Sequence, residues 1–153
     1  MKRAFCAILC VMLATLPMQG AVAMQIEVAR FAVGITIPSE WNAYGASENG
    51  DGYMIDCLDG QIDMRVYGSY DVDVIGMPYY LEMLLDAPGA KLELFDTSNG
   101  YIYRLVRDAC VQFIHLTEGR SANFYVDYSR NPQWYAENEA LVSQTARTLT
   151  FTD

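Results

Sequence analysis

Histidine, cysteine and basic residues are all scarce in this chain, and each shortage excludes something. Its 153 residues hold one histidine, four cysteines and ten lysines and arginines against nineteen carboxylates. A lone histidine leaves no room for a multi-histidine zinc centre, and no Ser-His-Asp or Cys-His arrangement stands beside it. The net charge of −9 sets nucleic acid and anionic membrane surfaces aside as partners, because both would repel the chain. Beyond the N-terminal segment no apolar run could span a bilayer. No repeat, low-complexity tract or linker interrupts the rest.

What is present starts with residues 1–23. Lys2 and Arg3 precede an apolar run from Ala4 to Met18, and Ala21-Val22-Ala23 supplies the small-x-small pattern of a leader-peptidase site. The run is short for a membrane span, so residues 1–23 read as a cleaved secretory signal. Residues 24–153 then form one periplasmic or secreted domain, starting near Met24. Phe5 and Leu9 precede Cys6 and Cys10 where a lipobox wants a small residue, so no lipid anchor is expected. Loss of Lys2 and Arg3 moves the formal charge from −9 to −11. Cys57 and Cys110 remain, an even pair in an oxidising compartment, and a structural disulfide between them is the expectation. It would restrict the unfolded chain by roughly 4 kcal/mol. Their wide spacing is unlike a redox CxxC pair, and two cysteines are too few for a structural zinc site.

Turn signals punctuate the mature chain. Asp59-Gly60 separates Tyr53–Leu58 from Gln61–Tyr67, and a two-residue turn there pairs Cys57 with Ile62, Ile55 with Met64 and Tyr53 with Val66. The opposite face carries Asp56 against Asp63, with Arg65 diagonal to Asp56. Asn99-Gly100 and Glu118-Gly119 repeat the pattern, and Asp108-Ala109 completes a meander. One of its faces gathers Ile102, Val106, Val111, Phe113, His115, Ala122, Phe124 and Val126. The other gathers Tyr101, Tyr103, Leu105, Ile114, Leu116 and Tyr125. Both faces are apolar enough to need covering.

Two helices are available to cover them. Pro78 opens the first, Met77, Tyr80 or Leu81, Leu84 and Leu85 stripe it, and Pro88-Gly89 ends it. Asn131 caps the second, with Pro132 at its first position and Glu137 and Glu139 early. Trp134, Leu141, Val142, Thr145 and Leu149 recur at helical spacing down to Arg147. The fold class is therefore α/β in the α+β sense: an antiparallel β-sheet covered by helices, an α/β/α-type sandwich.

Phe31-x-x-Gly34-Ile35-x-Ile37-Pro38-x-x-Trp41 resembles the first strand and exit of a known sandwich superfamily. It includes the photosystem II extrinsic P protein, the Ran-binding nuclear import factor and small bacterial envelope proteins. The closing helix running into Leu149-Thr150-Phe151 is similar to that family's C-terminal end. The resemblance implies a sheet between helices and accessory or binding roles. It carries over no catalytic residue and no cofactor.

The residues themselves offer little chemistry. His115 falls on an apolar strand face without polar company and reads as a core histidine with one ring nitrogen satisfied locally. Asp56 and Asp63 are the one carboxylate pair that could serve a carbohydrate-active enzyme, although a solvated charge cluster with Arg65 is the simpler reading. Asn49-Gly50-Asp51-Gly52 and Asp71-Val72-Asp73 suggest calcium but complete no twelve-residue loop, and read as turns. Eleven tyrosines are conspicuous. Tyr44, Tyr67, Tyr70, Tyr79, Tyr80 and Tyr128 lie near loops or element ends, where they suit a contact surface. The expected function is that of an exported binding protein whose partner is another envelope protein or a small ligand. An immunity protein or inhibitor of a basic target is the alternative within that class, and the carboxylate enzyme the alternative outside it. No catalytic residue, cofactor or metal is assigned.

Overall fold

The computed structural model describes residues 23–45 and 47–152. The expected signal segment lies outside these residues except for Ala23. Strands β1 (Ala23–Val28) and β2 (Val33–Pro38) flank a 3-10 turn at Ala29–Phe31. Then come β3 (Asn42–Tyr44), β4 (Gly52–Asp56), β5 (Asp63–Ser69), α1 (Asp71–Ile75) and α2 (Met77–Leu84). The chain continues through β6 (Lys91–Asp96), β7 (Tyr101–Arg107), β8 (Cys110–Leu116), β9 (Ser121–Asp127), α3 (Pro132–Ala146) and β10 (Thr150–Phe151). A seven-stranded antiparallel sheet has the order β3-β4-β5-β9-β8-β7-β6, and a smaller one the order β1-β2-β10.

The turn chemistry sets the large sheet's register. Asp59 and Gly60 both adopt positive φ, +47° and +76°, and the Gln61 amide donates to the Leu58 carbonyl at 3.0 Å. This is the twist-matched two-residue hairpin turn that an Asp-Gly pair favours. It places Ile55 opposite Met64 and Tyr53 opposite Val66, as the face partition requires. Two-residue turns likewise set Arg107 opposite Cys110 and Leu116 opposite Ser121. The Asn99-Gly100 hairpin is looser: its register shifts between Leu94 and Asp96.

Both faces of the sheet are covered. On one, Ile55, Met64, Val66, Phe113, Phe124 and Val126 form a core with Val33, Ile35 and Ile37 of β2 and Val142 and Ala146 of α3. On the other, Leu105, Ile114 and Leu116 meet Val72 and Tyr80 of α1 and α2. The result is an α+β sandwich. The Asn131 side chain accepts from the Trp134 amide at 3.0 Å, which supplies the expected cap of α3. Glu139 pairs with Arg104 on β7 at 2.9 Å, so the helix is also tied to the sheet it covers. Trp41, three residues past Pro38, is buried with its ring 6.4 Å from that of Trp134, giving the Pro-x-x-Trp pattern a packing role. The small sheet's β10 and the short helix α1, two and five residues long, carry too few residues to show a period in sequence.

The expected disulfide does not form. Cys57 and Cys110 are both free thiols. Cys57 follows β4 and Cys110 begins β8, with β5 and β9 between those strands. Three strand spacings of about 4.8 Å amount to roughly 14 Å, twice what a disulfide can bridge. The two also differ in face: Cys57 joins the β2–α3 core, whereas Cys110 lies 3.0 Å from the Tyr125 hydroxyl in the opposite phase of the sheet. Parity and compartment fix neither distance nor face. Burial, reinforced by Asp56, pushes the Cys57 thiol up to about 12, so it remains protonated. Cys57 and Cys110 should therefore both titrate as free thiols in denaturant without reductant, measured on residues 24–153, and dithiothreitol should leave the melting temperature unchanged. A single melting curve displaced by reductant would contradict this geometry.

Candidate functional site

The acids singled out from sequence are occupied in holding the fold. One Asp56 carboxylate oxygen accepts from the amides of Leu58 and Gly60 at 3.2 and 2.9 Å and braces the hairpin turn. Asp63 takes a two-pronged contact from Arg65 at 3.2 and 2.7 Å. Arg65 thus serves Asp63 along its own strand rather than Asp56 across the hairpin. A glycosidic acid and its partner must instead face one another across a substrate-sized gap.

His115 is buried. Its Nδ1 lies 3.2 Å from the Leu149 carbonyl and its ring 5.0 Å from that of Phe151. Burial lowers its pKa below the ordinary histidine value, although the Leu149 carbonyl works the other way. The unfolded chain therefore binds a proton more readily than the folded one, and stability that is complete above about pH 6.5 declines as the pH falls through the lowered value. His115→Gln should flatten the stability curve below about pH 6.5, read from urea midpoints. An unchanged slope would show that His115 is not its source.

The two acidic stretches are local structure. Asp51 is held by Arg30 at 2.7 Å and by the Asn49 side chain, while its amide donates to the Ser47 hydroxyl at 2.6 Å. Asp71 and Asp73 occupy the first turn of α1. Among the described residues no three His, Cys, Asp or Glu side chains gather as a metal site.

The tyrosines divide. Tyr128 stacks on Tyr135 with centroids 4.0 Å apart, Tyr80 is core, and Tyr44 and Tyr79 are exposed. Tyr67 and Tyr70 converge on a cleft of about 610 Å³ between the 3-10 turn, the loop after β3 and strands β4 and β5. Its wall follows from one glycine. A Cβ at Gly68 would sit 2.3 Å from Phe31, so the phenyl ring lies directly on β5. Tyr70 meets that ring at 4.7 Å and donates to the Arg30 carbonyl at 3.3 Å. Arg30 lies 5.2 Å from the Phe31 ring centroid while its guanidinium binds the Asn49 carbonyl at 2.9 Å.

Tyr67, which lines the cleft, is anchored by a chain of buried polar groups. Gln112 donates to the Tyr67 hydroxyl at 3.0 Å and to Asn123 Oδ1 at 2.9 Å; Asn123 donates to the Ser121 hydroxyl at 2.9 Å, and Ser121 bonds Tyr80. Gln112, Asn123 and Ser121 are each less than a tenth exposed. Because every link has a partner, the chain fixes the Tyr67 ring instead of penalising the fold. Burial pushes the Tyr67 hydroxyl up to about 12, so it stays neutral. Sequence reasoning missed this network. Its signal is polar residues in phase with Ile114 and Leu116 on strands that are otherwise apolar.

The cleft thus presents aromatic side chains, the neutral Tyr67 and two arginines already matched to carboxylates. Such a set orients and retains a ligand. Asp56, Asp63 and His115 do not line it.

No described helix is long and apolar enough to cross a membrane. No protein family matches the sequence, and no curated protein matches it significantly. Among solved structures, the chain is similar to the solution structure of cyanobacterial PsbP (CyanoP) from Synechocystis sp. PCC 6803. The TM-score is 0.50 at 14% identity, over 91% of this chain and 98% of that one. At that identity the likeness speaks to architecture alone: the α+β sandwich described above is a PsbP-like fold.

Proposed function

We propose that residues 24–153 act as an exported accessory or binding protein of the bacterial cell envelope, without catalysis, and that the Tyr67–Tyr70 cleft receives its partner. The partner is another envelope protein or a small ligand. The observation that carries this reading is the cleft itself: preformed, aromatic and nearly charge-balanced, while the chain's candidate acids and its histidine are engaged elsewhere. The sequence resemblance points the same way, towards accessory roles. Kinship with the Ran-binding import factor is part of the same proposal.

Export and binding have separate tests. Expression of the full chain in its host, followed by N-terminal sequencing of the periplasmic fraction, should find a mature end near Met24. Affinity capture from the envelope should then retain a stoichiometric partner with the wild type and lose it with Tyr70→Ala. Tyr70 is about half exposed, so its truncation leaves the core intact. Turnover of a saccharide substrate abolished by Asp56→Asn with Asp63→Asn would overturn the reading in favour of a carboxylate enzyme.

A further inference from the structure

Between Arg65 and Lys91 the chain contains no lysine or arginine, yet it carries Asp71, Asp73, Glu82 and Asp86. This stretch supplies α1 and α2, laid over the large sheet. Beneath it, the β8–β9 turn adds Glu118. Among the described residues none of these five carboxylates is ion-paired, whereas Arg30, Arg65, Arg104 and Arg147 each have an acidic partner.

The same region holds an open groove of about 570 Å³ with Val72, Met77, Pro78 and Leu81 as apolar lining and Asp73 and Glu118 on its rim. Its shape is fixed: the Asp73 amide donates to the Gly119 carbonyl at 3.1 Å and so fastens α1 to the β8–β9 turn. On α2 and just past it, Tyr79, Met83 and Leu85 are 60%, 46% and 49% exposed. Unbranched, polarisable methionine side chains adapt to varied apolar partners.

We propose that this groove docks a cationic amphipathic segment of a protein partner. Its apolar side chains would enter between Met77, Pro78 and Leu81, and its lysines or arginines would meet Asp73 and Glu118. Charge complementarity selects this occupant. Nucleic acid and anionic lipid are repelled, a second copy of the chain brings the same net negative charge, and a neutral segment leaves the rim carboxylates unmatched. Helix-in-groove binding uses this combination of apolar anchors and flanking charge. The inference rests on the binding-protein reading but concerns a surface separate from the cleft, with α1 between the two.

The test uses the full mature protein and a synthetic Leu/Lys amphipathic helix, with its Leu/Glu counterpart as control. Fluorescence anisotropy should show binding of the Leu/Lys peptide alone, weakened strongly at about 0.5 M salt. Amide shift mapping should confine the perturbed residues to 71–85 and 117–120. Asp73→Asn with Glu118→Gln should weaken binding about tenfold, and Met77→Ser should weaken it while leaving the salt dependence in place. Shifts scattered over the other acidic surfaces, self-association instead of peptide binding, or affinity indifferent to these substitutions would overturn the proposal. Envelope capture separates its failure from that of the broader reading. A partner still retained when the peptide ignores the groove refutes the groove alone. A groove that takes the peptide while Tyr70→Ala changes nothing in the envelope refutes the cleft alone.

Discussion

Gly68→Ala should destabilise the protein by about 3 kcal/mol, the upper end of the range for overpacking. The added methyl would lie 2.3 Å from both Cβ and Cγ of Phe31, far inside contact distance. Phe31 cannot swing away easily, being 4% exposed and held between β5 and the Tyr70 ring. The clash must move the 3-10 turn off the strand, and with it the cleft wall built from Arg30 and Tyr70. Chemical denaturation would measure the loss, and a double-mutant cycle would assign it. Phe31→Ala alone removes a buried ring and should cost about 3–5 kcal/mol. In that background Gly68→Ala should cost well under 1 kcal/mol, because nothing remains for the methyl to strike. Additive effects would show that Gly68 is constrained by something other than Phe31.

Phe113→Ala should be the most damaging single truncation in the core. Phe113 is 0% exposed at the centre of β8, with Phe95 edge-on at 4.8 Å and Phe124 stacked at 6.2 Å. Removing such a ring costs about 3–5 kcal/mol, a large share of the roughly 5–15 kcal/mol that holds a domain together. For a chain of this size that corresponds to a melting temperature lower by roughly 10–20 °C. Differential scanning calorimetry would read it directly. Phe95→Ala, only partly buried and beside the register shift of β6, should cost markedly less. Equal losses at the two positions would contradict the placement of the core.

The large sheet was legible because its information is local. An Asp-Gly or Glu-Gly turn sets a register, and alternation then sorts every side chain to a face; the partition of Ile55, Met64, Tyr53 and Val66 followed from Asp59-Gly60 alone. The cap of α3 was legible for the same reason, from Asn131-Pro132. The small sheet was hidden because β10 is two residues long and pairs with β2 more than a hundred positions away. The missing disulfide is also a long-range matter: parity counts thiols, but strand order decides whether they meet.

The site divides along the same line. Tyr67 and Tyr70 stood out by composition, yet nothing local says that Phe31 and Arg30, some forty residues earlier, line the same cleft. Gln112 and Asn123 were visible as polar residues in apolar strands. Their meaning depends on the β8–β9 pairing that brings them within 2.9 Å. Asp56 and Asp63 looked like chemistry because pairing across a hairpin was the only geometry local sequence offers. Backbone amides for one and Arg65 for the other turned them into structure.

The central claim, that the cleft between the 3-10 turn and β5 is where this protein meets its partner, is most directly tested by photo-crosslinking in the native host. A benzoyl-phenylalanine placed at Tyr70 should give one discrete adduct on illumination, whereas the same probe at exposed Gln133 on α3 should give none. Adducts at Gln133 with none at Tyr70 would place the partner on another face and contradict the account.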